Sequence, residues 1–123
     1  MPLYMTLVVG PEGQQPPQEM YDAVERMMEE TTKAGVLVEF GGLLPSARGS
    51  RAALKDGKVV FTDGPFAESK EVLGGYAVYD CPDLDTVKKW TKKFLDIHHQ
   101  IWPAFRGTVE IREMIVLEGV RPK

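Results

Sequence analysis

A short run of charged residues and glycines, lying between two strand-like segments, holds the side chains best suited to chemistry. The run is TDGPFAESKEVLGGY, residues 62–76, and it carries three carboxylates and one ammonium group. A carboxylate serves as a general acid or base when its surroundings adjust its pKa, and glycines let backbone approach a ligand closely. We therefore predict Asp63 and Glu68 as catalytic residues. The predicted substrate contacts in this run are Lys70, Glu71, Gly74, Gly75 and Tyr76.

The last strand-like segment, Thr108 to Leu117, adds two more candidate residues. Glu110 and Arg112 are two positions apart, so they share one face of a strand. The planar guanidinium of Arg112 suits paired hydrogen bonds to a carboxylate. We expect a small-molecule site, for instance for a carboxylate-bearing compound, between the run at 62–76 and the charged end of this strand.

Two other interpretations of the same charges stay open. Structural ion pairs also cluster charged residues, so these side chains could serve only the fold or a dimer. The chain could also be a non-enzymatic regulatory or partner-binding module, because it has no Ser-His-Asp, Cys-His or metal-binding constellation. Whether the protein is an enzyme is left open by the sequence.

No residue pattern indicates a metal or a cofactor. His98 and His99 are adjacent, so they point apart on a helix, and no nearby Cys or third His completes a ligand set. Met20, Met27 and Met28 recur at helical spacing and are predicted to pack in the core. Neither of the glycine-rich phosphate-binding motifs occurs.

Composition places the chain among single-domain proteins without a nucleic-acid partner. Its 123 residues are predicted to form one domain, residues 1–123, and 43% hydrophobic residues allow a core. A formal charge of −3 argues against nucleic-acid binding. The single cysteine, Cys81, excludes an intrachain disulfide. The N-terminal segment lacks the basic start of a signal peptide and is too short to span a bilayer, so we expect a cytoplasmic protein without membrane contact.

The order of the predicted elements indicates an α+β fold. Hydrophobic periodicity predicts two helices, Gln18–Ala34 and Leu84–Ile97. Four sheet strands are predicted at Tyr4–Val9, Val36–Phe40, Tyr76–Asp80 and Thr108–Leu117, with a hairpin around Asp56-Gly57. This order is that of a ferredoxin-like split βαβ with an inserted β-hairpin.

The two helices cover only one face of such a sheet. The first and last strands carry apolar residues on both faces, and a large apolar patch is unusual on a monomer. We therefore expect a homodimer, sheet against sheet, with a mixed cavity near the sheet ends.

The run from Thr62 to Tyr76, together with Tyr4-Met5, Asp83-Leu84-Asp85 and Val109-Glu110-Ile111-Arg112, resembles the DGPF domain of the YciI-like (YCII-related) family. The resemblance covers nearly the whole chain and implies a dimeric α+β barrel. It also implies a likeness to small-molecule enzymes of that fold, including a chloromuconolactone dehalogenase. Some DGPF-type relatives are described as sigma-factor-associated, which implies the regulatory alternative. YciI-like relatives outside this branch pair an Asp with a His on the first helix, and this chain has no His there.

Overall fold

The computed structural model describes residues 1–66 and 71–117. The elements in chain order are β1 (Leu3–Gly10), α1 (Gln18–Lys33), β2 (Leu37–Gly42), a 3₁₀ turn (Ser46–Arg48), β3 (Ser50–Lys55), β4 (Lys58–Asp63), β5 (Val72–Asp80), α2 (Leu84–Ile101) and β6 (Thr108–Glu113).

Four of the strands form one antiparallel sheet in the order β2-β5-β1-β6. β1 is central, with Thr6 opposite Ala77 of β5 and Ile111 of β6. The strands alternate with two helices in the βαβ–βαβ manner, so the predicted ferredoxin-like α+β fold is confirmed.

Local chemistry explains where α1 ends and where α2 begins. Gly35 follows α1 with a φ of 77°, the left-handed conformation that favours glycine after a helix. Asp83 caps α2, since its carboxylate accepts a hydrogen bond from the Thr86 backbone N–H at 2.9 Å. The pKa of this carboxyl is lowered by its hydrogen bonds from Thr86.

The helix α2 is one turn longer than predicted, because its apolar face continues past Ile97 to Ile101. β2 and β5 also extend beyond their predicted ends, through glycine pairs that face each other across the ladder, with Gly42 opposite Gly75. β6 is shorter than predicted and ends at Glu113.

The predicted hairpin is present, but it stands apart from the main sheet. β3 and β4 form their own two-stranded sheet around Asp56 and Gly57, whose φ values of 50° and 77° are both positive, as a type I′ turn needs. Nearly all of its residues are exposed.

The two faces of the main sheet differ in their cover. On the helix-covered face, Tyr4, Ala77, Tyr79, Cys81 and Val87 form the buried core cluster. On the other face of β1, Met5, Leu7 and Val9 are only partly buried, and Leu73 beside them is 50% exposed. Within the described residues, neither helix combines the length and apolar character needed to cross a membrane.

Candidate functional site

A cavity of about 870 Å³ lies between the sheet and its two helices. Its inner wall is formed by buried residues of β1, α1, β5 and α2, namely Thr6, Met20, Met28, Ala77, Tyr79, Thr91 and His98. Its open end is marked by exposed residues of the loop after β1, the segment after β2 and the start of β5. The volume falls within the range of small-molecule sites, roughly 300–1,000 Å³.

One serine joins the loops around the open end. Ser46 donates its backbone N–H to Glu12 at 2.9 Å, and its hydroxyl also bonds the same carboxylate. The Ser46 hydroxyl oxygen in turn accepts the Phe66 backbone N–H at 3.1 Å. Three segments that are distant in sequence are thereby tied together next to the cavity, which holds its entrance in one arrangement.

The Asp63-Gly64-Pro65-Phe66 segment packs against the 3₁₀ turn that contains Ser46. A Cβ on Gly64 would lie 1.8 Å from the Ser46 carbonyl oxygen, so only glycine fits. The Arg51 guanidinium carbon lies 4.0 Å from the Phe66 ring centroid, a cation–π contact. The motif's glycine and phenylalanine therefore have structural roles as loop anchors.

His98 is a buried polar residue that lies among aromatic side chains of the cavity. Its ring lies between Phe94 and Phe105, with centroids 4.4 Å and 4.5 Å away. Its Nδ1 lies 2.8 Å from the Phe94 carbonyl oxygen. Because a carbonyl only accepts, Nδ1 carries the hydrogen, and in the neutral ring Nε2 is an acceptor. Burial lowers the pKa of His98, which favours that neutral ring.

Three hydroxyl groups share the inner wall with His98. The Thr91 hydroxyl oxygen is buried and has no hydrogen-bond partner among the described residues. Thr6 and Tyr79 are also buried lining residues, and burial raises the pKa of Tyr79 to about 12. At neutral pH all these groups are uncharged hydrogen-bonding groups.

No lysine or arginine is found among the described residues that line this cavity. Its only acidic lining residues in that part of the chain are Glu12 and Glu25, both exposed. The remaining lining is mostly apolar. The cavity therefore suits an uncharged ligand better than an anion.

Three of the predicted site residues lie in the cavity wall: Gly74, Gly75 and Tyr76. Gly74 sits at the irregularity where the pairing of β5 with β1 shifts by one residue. The Tyr76 hydroxyl donates to Glu39 at 2.7 Å, and this bond raises the tyrosine pKa.

The other predicted residues lie elsewhere. Glu110 and Arg112 are exposed on the sheet face away from the helices, and their side chains form an ion pair at 3.4 Å. Asp63 ends β4, and no hydrogen bond or ion pair among the described residues joins it to Arg112. Glu71 lines a second cavity of about 570 Å³ with Arg48 and Arg51. Glu68 and Lys70 lie outside the described residues.

Sequence reasoning missed the roles of His98, Thr91 and Ser46. The sequence indicated only that His98 and His99 make a poor metal pair, whereas the structure buries His98 within α2. Its signal was available, since Thr91, Phe94 and His98 follow the three- and four-residue spacing of one helix face. The predicted end of α2 at Ile97 removed it from that stripe. Ser46 had no sequence signal, because its partners come from distant segments.

Comparison with known families assigns the chain to one of them. The model of the YCII-related domain matches residues 2–115. The chain belongs to the YCII-related domain family. An uncharacterized protein of Rhizobium meliloti (strain 1021) is 36% identical over 63 residues, which make up 51% of this chain and 48% of that protein. The chain therefore covers about half the length of that relative.

Proposed function

We propose that this YCII-related protein binds a small molecule in the cavity between its sheet and its helices. The observation that carries the proposal is the cavity itself, about 870 Å³ in volume, with a mostly apolar lining that includes a few polar side chains. Sites for small ligands have this composition. The proposal is for binding, and it leaves chemical conversion of the ligand as a further step.

Residues next to two of the predicted site segments support this location. Val72 to Tyr76, which directly follow the DGPF run, and Val109 of the last strand contribute to the lining. Gly74 and Gly75 have no side chains to fill this part of the cavity wall, which leaves room for a ligand.

A second location, with Asp63 and Glu68 as general acid or base and Arg112 as carboxylate contact, remains a separate prediction. Its Arg112 lies on the sheet face away from the helices, where the Glu110–Arg112 pair is open to solvent. Exposed groups of this kind bind weakly because water competes for them. This location becomes an enclosed site only when a second subunit covers that face.

A homodimer is the proposed quaternary structure. Its support is the partly uncovered apolar face formed by Met5, Leu7, Val9 and Leu73. A second copy placed against this face by a two-fold axis would remove these side chains from water.

The test of the binding proposal uses a substitution that narrows the cavity. Gly42 lies in the lining, and no atom is within 4 Å of the position its Cβ would occupy. Gly42→Trp is therefore expected to fold normally, and to weaken binding of naphthalene or naphthol, measured by calorimetry, about tenfold or more.

The matched control is Ala52→Trp, which adds the same ring on the exposed hairpin, away from the described cavity lining. This variant is expected to bind like wild type. Equal binding by wild type and Gly42→Trp, or no binding by wild type, would overturn the proposal.

One observation favours the alternative of a regulatory or protein-interaction module of the kind associated with sigma factors. Ala52, Leu54, Val59 and Phe61 share one face of the hairpin by their pairing. Leu54, Val59 and Phe61 are 75%, 63% and 71% exposed, so this apolar face is uncovered within one subunit.

A further inference from the structure

We propose that His98 is the polar anchor of the cavity, and that the ligand is a neutral, largely apolar molecule, such as an aromatic ring system, carrying a hydroxyl group that donates a hydrogen bond to His98 Nε2. This inference rests on the proposed function, because it names the ligand chemistry of the same cavity.

The first argument is the direction of the free nitrogen. Nδ1 lies near the stem of the imidazole and is held by the Phe94 carbonyl at 2.8 Å. Nε2 is at the opposite edge of the ring, away from the helix backbone, and no described residue bonds it. His98 is itself a lining residue and only 7% exposed. A ligand in the cavity can therefore donate a hydrogen bond to the acceptor lone pair of Nε2.

The second argument is an independent polar group without a partner. The Thr91 hydroxyl oxygen is buried and unpaired among the described residues, and the whole residue is 8% exposed. Thr91 lies seven residues before His98, two helical turns away on the same face of α2. A buried hydroxyl without a partner is unfavourable, so a ligand or water molecule that bonds it is stabilised there.

The third argument is the surroundings of His98. Phe94, Phe105 and Trp102 enclose the ring, with the Trp102 centroid at 6.2 Å. Phe94, Phe105 and Trp102 also belong to the cavity lining. Aromatic side chains of this kind bind flat apolar rings in offset or edge-to-face contact.

The fourth argument is the charge of the wall. The described lining contains carboxylates at its exposed end and no cation. An anionic ligand would lose its hydration without gaining a charged partner. A hydroxyl is favoured over a carboxylate for this reason, which sets this cavity apart from the carboxylate chemistry expected near Arg112.

The test compares three probes with one ring system: naphthalene, naphthol and naphthoate. Calorimetry on the wild-type protein near neutral pH should show naphthol binding about tenfold more tightly than naphthalene, the gain from one satisfied hydrogen bond, and naphthoate binding weakest. His98→Phe should bind naphthalene as well as wild type does and should lose the preference for naphthol. His98→Gln, whose amide oxygen accepts near the position of Nε2, should regain part of that preference.

The matched control is His99→Phe, a change at the adjacent exposed histidine, which should keep the wild-type preference. Equal binding of naphthol and naphthalene, tighter binding of naphthoate, or a naphthol preference that survives in His98→Phe would overturn the assignment while leaving the cavity a binding site. Failure of all three probes to bind would overturn the proposed function and the assignment with it. Circular dichroism of each variant checks that the fold is kept.

Discussion

At the scale of single residues, His98 is a buried base on a helix that the sequence indicated mainly as a packing element. Its surroundings explain how a histidine is retained there. One nitrogen bonds the Phe94 carbonyl, and the ring packs between aromatic neighbours. A buried group of this kind makes stability depend on pH, since its burial disfavours the charged form.

We predict that the protein loses stability as the pH falls below about 6.5, the ordinary pKa of histidine. Burial lowers the pKa of folded His98, so the unfolded chain takes up this proton first, and protonation favours unfolding. The stability that neutral, buried His98 contributes is fully present above the pKa that this group has in the unfolded chain. It is lost as the pH falls from that value through the lower pKa of the folded state. Urea unfolding across this window measures the effect.

His98→Phe should reduce the slope of unfolding free energy against pH in that window. His99→Phe, the same change at the adjacent exposed histidine, is the control variant. A wild-type slope retained in His98→Phe would show that another group is responsible. This readout is independent of any ligand, and therefore separates the burial of His98 from its binding role.

At the scale of elements, the hairpin of β3 and β4 is held at its base, while most of its residues are exposed. Gly64 donates its backbone N–H to the Gly49 carbonyl at 3.0 Å, which fastens the base of the hairpin. Phe66 and Arg51 stack beside it. The apolar face of the hairpin, defined by Ala52, Leu54, Val59 and Phe61, is left without cover in one subunit.

We predict that Phe61→Glu weakens self-association of the protein, measured by analytical ultracentrifugation over a dilution series. Self-association through the exposed hairpin face would bring Phe61 into the interface, where a carboxylate would lose its hydration. The subunit itself should keep its stability within about 0.5 kcal/mol, because Phe61 is exposed.

Thr62→Glu is the control for this change, since Thr62 is the next residue of β4 and faces the other side of the hairpin. It should associate like wild type. If Phe61→Glu and Thr62→Glu are both as dimeric as wild type, the hairpin face is outside the self-interface, and the interaction-module alternative gains support.

At the scale of the whole molecule, the sheet divides the protein into two unlike halves. One half is closed by both helices and contains the cavity with His98. The other half carries the partly buried Met5, Leu7 and Val9 of β1 and the half-exposed Leu73 of β5, with the Glu110–Arg112 pair on β6 beside them. A stable self-interface buries roughly 1,200 Å² or more in total.

We predict that Leu73→Glu converts the protein to a monomer at micromolar concentration. Leu73 is half exposed beside Val9, so the change should little affect folding of one subunit but should place a charge in the proposed interface. Light scattering coupled to size-exclusion chromatography measures the mass directly.

Leu84→Glu is the corresponding control, because Leu84 is 41% exposed at the start of α2, on the other side of the sheet. It should retain the wild-type mass. A wild-type protein that is monomeric at these concentrations would contradict the dimer proposal outright.

The order of elements and the fold class were determined by the sequence alone. Local signals acted within a few residues of each other: the helical spacing of Met20, Met27 and Met28, the Asp56-Gly57 turn, the Asp83 cap and Gly35 after α1. These signals depend on backbone conformation and on side-chain period, both of which are properties of neighbouring residues.

The position of the cavity was decided only by the tertiary structure. Whether a polar residue is buried, and beside what, depends on segments far apart in sequence, as with the bonds from Ser46 to Glu12 and from Phe66 to Ser46. The same holds for His98, whose burial follows from the packing of α2 on the sheet and of the segment after it against the ring. The charge and glycine content of residues 62–76 predicted a site in that run. The packing of both helices on one sheet face determined where an enclosed space remains.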